Sequence, residues 1–496
     1  MENDIESLEY LDYLESLDPL DNKSREKSFY LCMVRRLFFF IFAVVVLLTA
    51  CTDNDSFSNS PGNRLTFSED TVRFDTLFST VPSSTQTFWV HNESSDGIRI
   101  VTARLERSNQ SGYRVNVDGT YLDPVGSDFE VRKGDSLLVF VEVTTRENHA
   151  DEPQLVEDNL IFTLESGAQQ RVNLRTYSWD AIRLDSLVVR QDTVIETPRP
   201  VVIYGNGIRV EENATLTIRN TTLYFHDGAG ITAYGNVVAE NSLFRGDRLD
   251  RMFDYLPYDH ISGQWEGIEL YSHNGDNRFF NCEIRNAVDA LMCDSTSLYM
   301  YNTIVHNASG DGLSARHSDV YVEYCQFSNT YGDCLSFYGC EAIVEHSTLA
   351  QFYPFSANRG AALRFANTKL PMLLDCRWTL ATGYADDVVM GEVVEENADS
   401  LFDYHFADCM LRTPAVENSL RFERVIWETP KDSVQGKQHF VLVDEDNLIY
   451  DFALDSISPA LQNGIGRIPI PAEPDVNAVG RRALPVGWVQ RRHIKR

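Results

Sequence analysis

The chain has 496 residues, with 73 acidic against 43 basic side chains and a formal net charge of −30 at pH 7. So acidic a surface repels nucleic-acid phosphates, which argues against a nucleic-acid partner. Hydrophobic residues still make up 43% of the chain, so the charge does not mark disorder, and the length is enough for two or three domains with full cores.

In chain order, residues 1–32 come first and hold nine acidic and three basic side chains. Met33-Val34-Arg35-Arg36 is basic, and residues 37–48 follow as twelve positions without a charge. A basic start, an apolar core and small residues at a cut make a secretory signal. The run is short for a spanning helix, which needs roughly 20 residues. Leu48-Thr49-Ala50-Cys51 resembles the lipobox of bacterial lipoproteins. The resemblance implies cleavage before Cys51, lipid on its thiol, and a membrane partner reached through that lipid. It makes 33–50 the signal peptide. An acidic extension opposes the positive start such signals need, so 1–32 reads as a misassigned upstream stretch and Met33 as the start of translation.

Residues 51–64 are polar and read as a lipidated flexible tether. Asp53-Asn54-Asp55 resembles the acidic export signal that carries Bacteroidetes lipoproteins to the cell surface, which implies an outer-membrane location. A merely solvated linker reads equally well. From Leu65 short strands begin. Thr87-Phe88-Trp89-Val90, Ile98-Arg99-Ile100-Val101, Tyr113-Arg114-Val115-Asn116-Val117 and residues 137–143 are β-prone runs separated by polar turns. They predict a β-sandwich over 65–178. Phe74-Asp75-Thr76-Leu77-Phe78 and Gly134-Asp135-Ser136-Leu137 resemble the immunoglobulin-like module of Bacteroidetes surface lipoproteins. With no catalytic cluster, the segment reads as a spacer or docking module.

An internal repeat occupies 179–460. Asn281-Cys282-Glu283-Ile284, Tyr301-Asn302-Thr303-Ile304, Tyr324-Cys325-Gln326-Phe327 and His346-Ser347-Thr348-Leu349 align, their last residues 20, 23 and 22 apart. Asp289-Ala290-Leu291, Asp311-Gly312-Leu313 and Asp333-Cys334-Leu335 recur at intervals of 22. Units this short hide their apolar side only by stacking, one coil on the next. Small residues at Cys282, Asn302, Cys325, Ser347 and Cys376 are expected to form one interior column, in which thiols act as small hydrophobes. Leucines are too sparse for a leucine-rich repeat. The repeat resembles the pectate-lyase-like repeat family over roughly residues 200–420. The fold class is therefore all-β, a β-sandwich followed by a right-handed parallel β-helix. Ile457-Ser458-Pro459-Ala460 and Pro474-Asp475-Val476-Asn477-Ala478 resemble the closing segment of such helices, and 461–496 is read as a capping tail.

The aspartate column is the sharpest chemical clue. Asp289, Asp311 and Asp333 on successive coils would stand about 5 Å apart. Three readings stay open: residues that turn the chain, a cation site suited to calcium, or catalytic carboxylates. No other cofactor is expected. A stretch leaving the coils near 250–265 places Tyr255, Tyr258 and Trp265 where rings could stack on a sugar. His306, His317 and His346 read as surface or turn histidines. Gly-His-Gly, a nucleophile elbow, a phosphate-binding loop and His-Glu-x-x-His are all missing, which argues against a nucleotide partner. The preferred function is glycan or surface-ligand binding without catalysis. The alternatives are a polysaccharide lyase or hydrolase, and a structural part of an outer-membrane assembly with another envelope protein. N-terminal sequencing of the uncleaved precursor is expected to begin at Met33, and mass spectrometry of the processed chain to find lipid on Cys51. Recovery of residues 1–32, or an unmodified Cys51 in the membrane fraction, overturns this reading.

Overall fold

The computed structural model describes residues 56–468 apart from 254, 274, 395–400, 419 and 429–435. Cys51, the expected signal over 33–50 and the 474–478 segment lie outside the described residues. The first part obeys the two-residue period of half-buried strands. Phe88 and Val90 are buried while Trp89 between them is exposed. One five-stranded sheet orders Thr66–Phe67, Gln86–His91, Ser136–Val143, Tyr113–Val117 and Thr120–Tyr121. The other orders Thr71–Phe78, Gln169–Trp179, Gln154–Leu164, Ile98–Leu105 and Val125–Val131. The two resemble a β-sandwich, with Phe88, Val115 and Val139 meeting Ile100, Phe162 and Val172 in one core. Phe78 sets its ring edge-on to Tyr224 at 4.8 Å, and Ser84 N–H donates to Asp250 Oδ2 at 3.1 Å, which ties these sheets to the coils that follow.

Those coils form a parallel β-helix. Each full coil supplies three strands, so three parallel ladders run its length. The first contains Leu243–Gly246, Glu283–Arg285, Ile304–His306, Gln326–Ser328 and Thr348–Gln351. The second contains Trp265–Leu270, Ala287–Asp294, Leu313–Arg316, Leu335–Tyr338 and Leu363–Ala366. The third contains Asn277–Phe280, Ser297–Tyr301, Asp319–Glu323 and Glu341–Glu345. Leu291, Leu313, Leu335 and Leu363 pair in succession, each 0% exposed, as one inner stack. That stack is what coils too short to fold alone require.

Register corrects one expected column. Ile284 pairs with Val305, not Ile304, and Val305 with Phe327. Asn302 therefore lies at a corner, and Thr303 takes the inner place beside Cys282 and Cys325. Cys376 pairs instead with Val344 in the third ladder. The true inner column is Ser242, Cys282, Thr303, Cys325, Ser347, Thr379 and Cys409, and it has a chemical rule. Each γ-heteroatom donates to the carbonyl two residues back, as in Ser242 to Glu240 O at 2.8 Å, Cys325 to Glu323 O at 3.3 Å and Ser347 to Glu345 O at 2.8 Å. In several coils it also accepts from the preceding coil: Thr303 N–H reaches Cys325 Sγ at 3.5 Å, and Cys325 N–H reaches Ser347 Oγ at 3.1 Å. Only Ser, Thr and Cys offer a small side chain that donates and accepts in one buried spot. All seven described cysteines are free and buried, and burial pushes the Cys325 thiol up to about 12, so these thiols are packing groups rather than nucleophiles.

Corners are turned by left-handed residues. Asn220, Asn241, Asn281 and Asn302 have φ of 49°, 49°, 54° and 45° between the third and first ladders. Asn286, Asn307 and Asn329 do the same between the first and second. Asparagine tolerates this region better than other non-glycine residues. The asparagine amides also link coil to coil, Asn302 Nδ2 donating to Asn281 Oδ1 at 2.9 Å and Asn281 Nδ2 to Asn241 Oδ1 at 3.1 Å. At Gly267 the constraint is tighter. Its φ is 106°, and a Cβ there would overlap the Asp289 carbonyl oxygen of the next coil. Gly267→Ala is expected to lower stability by about 2–4 kcal/mol in urea unfolding. A loss under about 1 kcal/mol would mean the coils are not in backbone contact at this corner.

Candidate functional site

The aspartate column sits in packed turns. Asp311 N–H donates to Asp289 Oδ1 at 2.8 Å, and Asp333 N–H to Asp311 Oδ1 at 2.8 Å. Asp333 Oδ1 in turn accepts from Ala361 N–H at 2.6 Å. Each carboxylate thus satisfies an amide of the following coil where the chain leaves the first ladder. Their remaining capacity is partly taken as well: Ser336 donates to Asp311 Oδ2 at 2.8 Å, and Arg364 Nε to Asp333 Oδ2 at 2.5 Å. Calcium needs about six to eight converging oxygens. Among the described residues no group of three or more His, Cys, Asp or Glu side chains gathers to hold a metal ion. Oxygens committed to amides and a guanidinium do not fit that ion, nor an acid–base pair. Of the three open readings, turn structure is the one this geometry supports.

The loop residues divide. Trp265 is only 1% exposed, stacks on Phe225 at 4.3 Å, and donates Nε1–H to Arg285 O at 2.9 Å. It is a core residue, so the expectation that it binds ligand is corrected: it follows Gln264 back into the coil instead of staying on the loop. Tyr258 lies under Arg248 at 4.1 Å. Tyr255 is 78% exposed and stacks on Phe253 at the loop tip. The structure does not bring the three rings together.

What the loop does is wall a cleft on the outer face of the first ladder. Strand alternation sends Glu283 and Arg285 outward and buries Ile284 between them. Register then stacks two outward columns, Leu243, Glu283, Ile304, Gln326 and Arg245, Arg285, His306, Ser328. From one side Tyr258, Asp259 and His260 lean over this floor. They are pinned because Asn286 Nδ2 donates to Asp259 O at 3.0 Å and Gln264 Nε2 to Ile261 O at 2.8 Å. From the other side comes the hairpin of Phe440–Asp444 and Ile449–Leu454, seated on Ala350, Phe352, Leu380 and Met410. Between them lies a cavity of about 310 Å³ that includes Asp259, Glu283, Arg285, His306, Tyr450 and Arg467. A second groove of about 600 Å³ runs along Asn220, Asn241, Asn281 and Asn302 and shares Glu283, Ile304 and Arg467 with the first.

The electrostatics are close-knit. Asp259 pairs with Arg245 at 3.1 Å and with Arg285 at 3.3 Å, and the same Arg285 nitrogen lies 3.4 Å from Glu283. Burial first, then the charge on Arg285, pushes His306 down to about 4, so its imidazole is neutral at pH 7. Its Nδ1 meets Ser328 Oγ at 2.9 Å. Among the described residues Arg467 bonds neutral acceptors, Nε to Tyr324 O at 3.1 Å and Nη2 to Asn302 Oδ1 at 2.9 Å, and burial lowers its pKa. Burial, then Glu445 and Asp444, holds the Tyr450 phenol up at about 12, so it stays protonated. This set can donate and accept hydrogen bonds along an extended polar ligand. The sequence alone marks His306 as a surface or turn histidine and gives no reason to group it with Asp259, Glu283, Arg285, Tyr450 or Arg467. The outward alternation of the first ladder was available as a signal; the fold-back of the hairpin was not.

The family described as "Right handed beta helix region" matches residues 195–369. Among solved structures, the A-module of mannuronan C-5 epimerase AlgE6 from Azotobacter vinelandii is similar at 9% identity, over 51% of this chain and 91% of that one, TM-score 0.28. The catalytic domain of a GH87 alpha-1,3-glucanase is similar at 10% identity over 69% and 90%, TM-score 0.21. A PapD-like domain of human CEP192 is similar at 10% identity over 25% and 90%, TM-score 0.16. No curated protein matches. The scores are low, and the functional reading rests on this chain's own residues.

The aspartate ladder makes a signed prediction. Burial raises the Asp311 carboxyl above its ordinary 3.8, against the hydrogen bonds from Ser336 and Asp333 N–H, with Asp333 and Asp289 adding repulsion. A folded pKa above the unfolded one means that this group's contribution is whole below about pH 3.8 and is lost as pH rises through the folded value. Asp311→Asn keeps an oxygen for Asp333 N–H and cannot ionise. Its stability relative to wild type is therefore expected to improve from about pH 3 to about pH 7 in paired urea unfolding curves. A relative stability that falls over that window contradicts the ladder.

Proposed function

We propose that the chain binds a glycan, without transforming it, in the cleft on the first ladder's outer face. One observation carries this reading: two adjoining cavities share Glu283, Ile304 and Arg467 and together present amides, guanidiniums, carboxylates and a neutral imidazole along several coils. Such a lining suits the many hydroxyls of a sugar chain better than a compact apolar ligand. Both carboxylates at the cavity's centre are engaged by Arg245 and Arg285, which favours positioning over acid–base exchange and is why binding is preferred to a lyase or hydrolase. In this reading the Cys51 lipid holds the protein at the outer membrane as a Bacteroidetes-type surface lipoprotein, and the immunoglobulin-like sheets are the spacer.

Binding is tested on an array of envelope and host glycans followed by calorimetry. Arg467→Gln is expected to weaken a retained glycan about tenfold, since a charged donor is lost. Asp311→Asn, outside the cleft, is expected to leave affinity unchanged. Retention of no glycan, or equal effects of both substitutions, overturns the proposal.

A further inference from the structure

A second site is carried by the outer face of the second ladder, at the corner leading into the third. Register places Tyr234, Tyr271, Asp294, Arg316 and Tyr338 in one outward column. In this neighbourhood the molecule twice sets a guanidinium on a tyrosine. Arg209 lies over Tyr234 at 4.6 Å, and Arg316 lies over Tyr338 at 5.0 Å. Tyr234 then stacks on Tyr271 at 5.6 Å and 23°. Next to Tyr271 the column supplies a short acid, Asp294, where a long side chain would have covered the ring. A cavity of about 490 Å³ remains there, lined by Glu212, Tyr234, Tyr271, His273 and Asp294 among others.

We propose that this cavity takes a guanidinium or ammonium group, the side chain of an arginine or lysine on a basic protein segment. The Tyr271 ring supplies a π face and Asp294 with Glu212 the counter-charge. The surroundings are already negative: after burial, the Glu269 carboxylate is the largest influence raising the Tyr271 phenol, with Asp294 contributing. Glu269 itself stays beside the ring, accepting from Thr232 Oγ1 at 3.2 Å. The excess of acidic over basic side chains along the chain adds long-range attraction for a basic partner. This site is separate from the glycan cleft and does not depend on it.

The probe is a hexa-arginine peptide titrated into the processed chain, with neutral maltohexaose as competitor. Tyr271→Leu leaves charge unaltered and is expected to weaken peptide binding about three- to tenfold. Asp294→Asn is expected to do the same, while Glu93→Gln, an equal charge change on an exposed turn of the first domain, is expected to have no effect. Circular dichroism and Tm establish that each variant is folded, and Asp294→Asn decides if Tyr271→Leu is not. Equal losses in Asp294→Asn and Glu93→Gln mean attraction to bulk charge alone and overturn the site. Displacement of the peptide by maltohexaose, or unchanged binding in the Tyr271 and Asp294 variants, does so too.

Discussion

Every coil of the solenoid must turn the same three corners at the same places, and the hydrogen bonds that hold those corners in register constrain everything else. Many parallel strands here pair with a neighbour over only three to five residues, as in Ile304–His306 or Asp319–Glu323. Between strands some backbone amides, such as Asn302 N–H on Glu323 O at 3.0 Å, still find a carbonyl on the next coil, and others such as Asp333 N–H need a side chain instead. The chain meets this by letting each coil serve the next. Aspartate carboxylates accept amides at one corner, asparagine amides link left-handed residues at another, and serine, threonine and cysteine γ atoms do so just inside. A one-residue slip would break all of these systems at once and turn the leucine stack toward solvent.

The outer faces are written by that same register, one residue per coil. On the third ladder the positions are filled: Tyr299 stacks on Tyr321 at 4.9 Å, and their hydroxyls donate to Glu323 and Glu345. On the first ladder the outward column runs Arg245, Arg285, His306 and then Ser328, Ala350, Thr382. Where it shrinks to small residues, the hairpin settles with Phe440 and Phe452 against Phe352. Where it stays long and charged, the hairpin and the 247–264 loop stand apart and the cleft opens. The boundary between covered surface and open site is thus a change in side-chain volume along a single column.

Much of this was legible from residues alone. The aspartate–leucine repeat at intervals of 22 is the real register of the second ladder. The neighbouring repeat was misread by one residue, and its own spacing held the warning. Intervals of 20 and 23 are uneven, whereas pairing Ile284 with Val305 and Val305 with Phe327 evens them to 21 and 22. That single correction moves Asn302 from core to corner and explains why asparagine, and not a smaller residue, stands there. Trp265 misled for a different reason. An aromatic beside a predicted loop resembles a binding ring, and nothing local reveals that Phe225, forty residues earlier in the chain, lies parallel beneath it. Contacts of that kind, like Arg467 reaching Asn302, are set by how far the coils have risen, which no local pattern encodes.

This division bears on where function can reside in such a molecule. Residues that repeat every coil serve the corners and the core, because those demands recur with every turn. Residues that break the repeat answer to something met once. His306 replaces an arginine in its column, Asp294 interrupts a run of rings and guanidiniums, and the 247–264 loop intrudes between two otherwise regular coils. The aspartates drew attention by recurring, yet recurrence ties a side chain to its neighbour above. A carboxylate already accepting the next coil's amide has little left for a ligand, while a column's odd member stands outside that coil-to-coil pattern and faces whatever enters the gap.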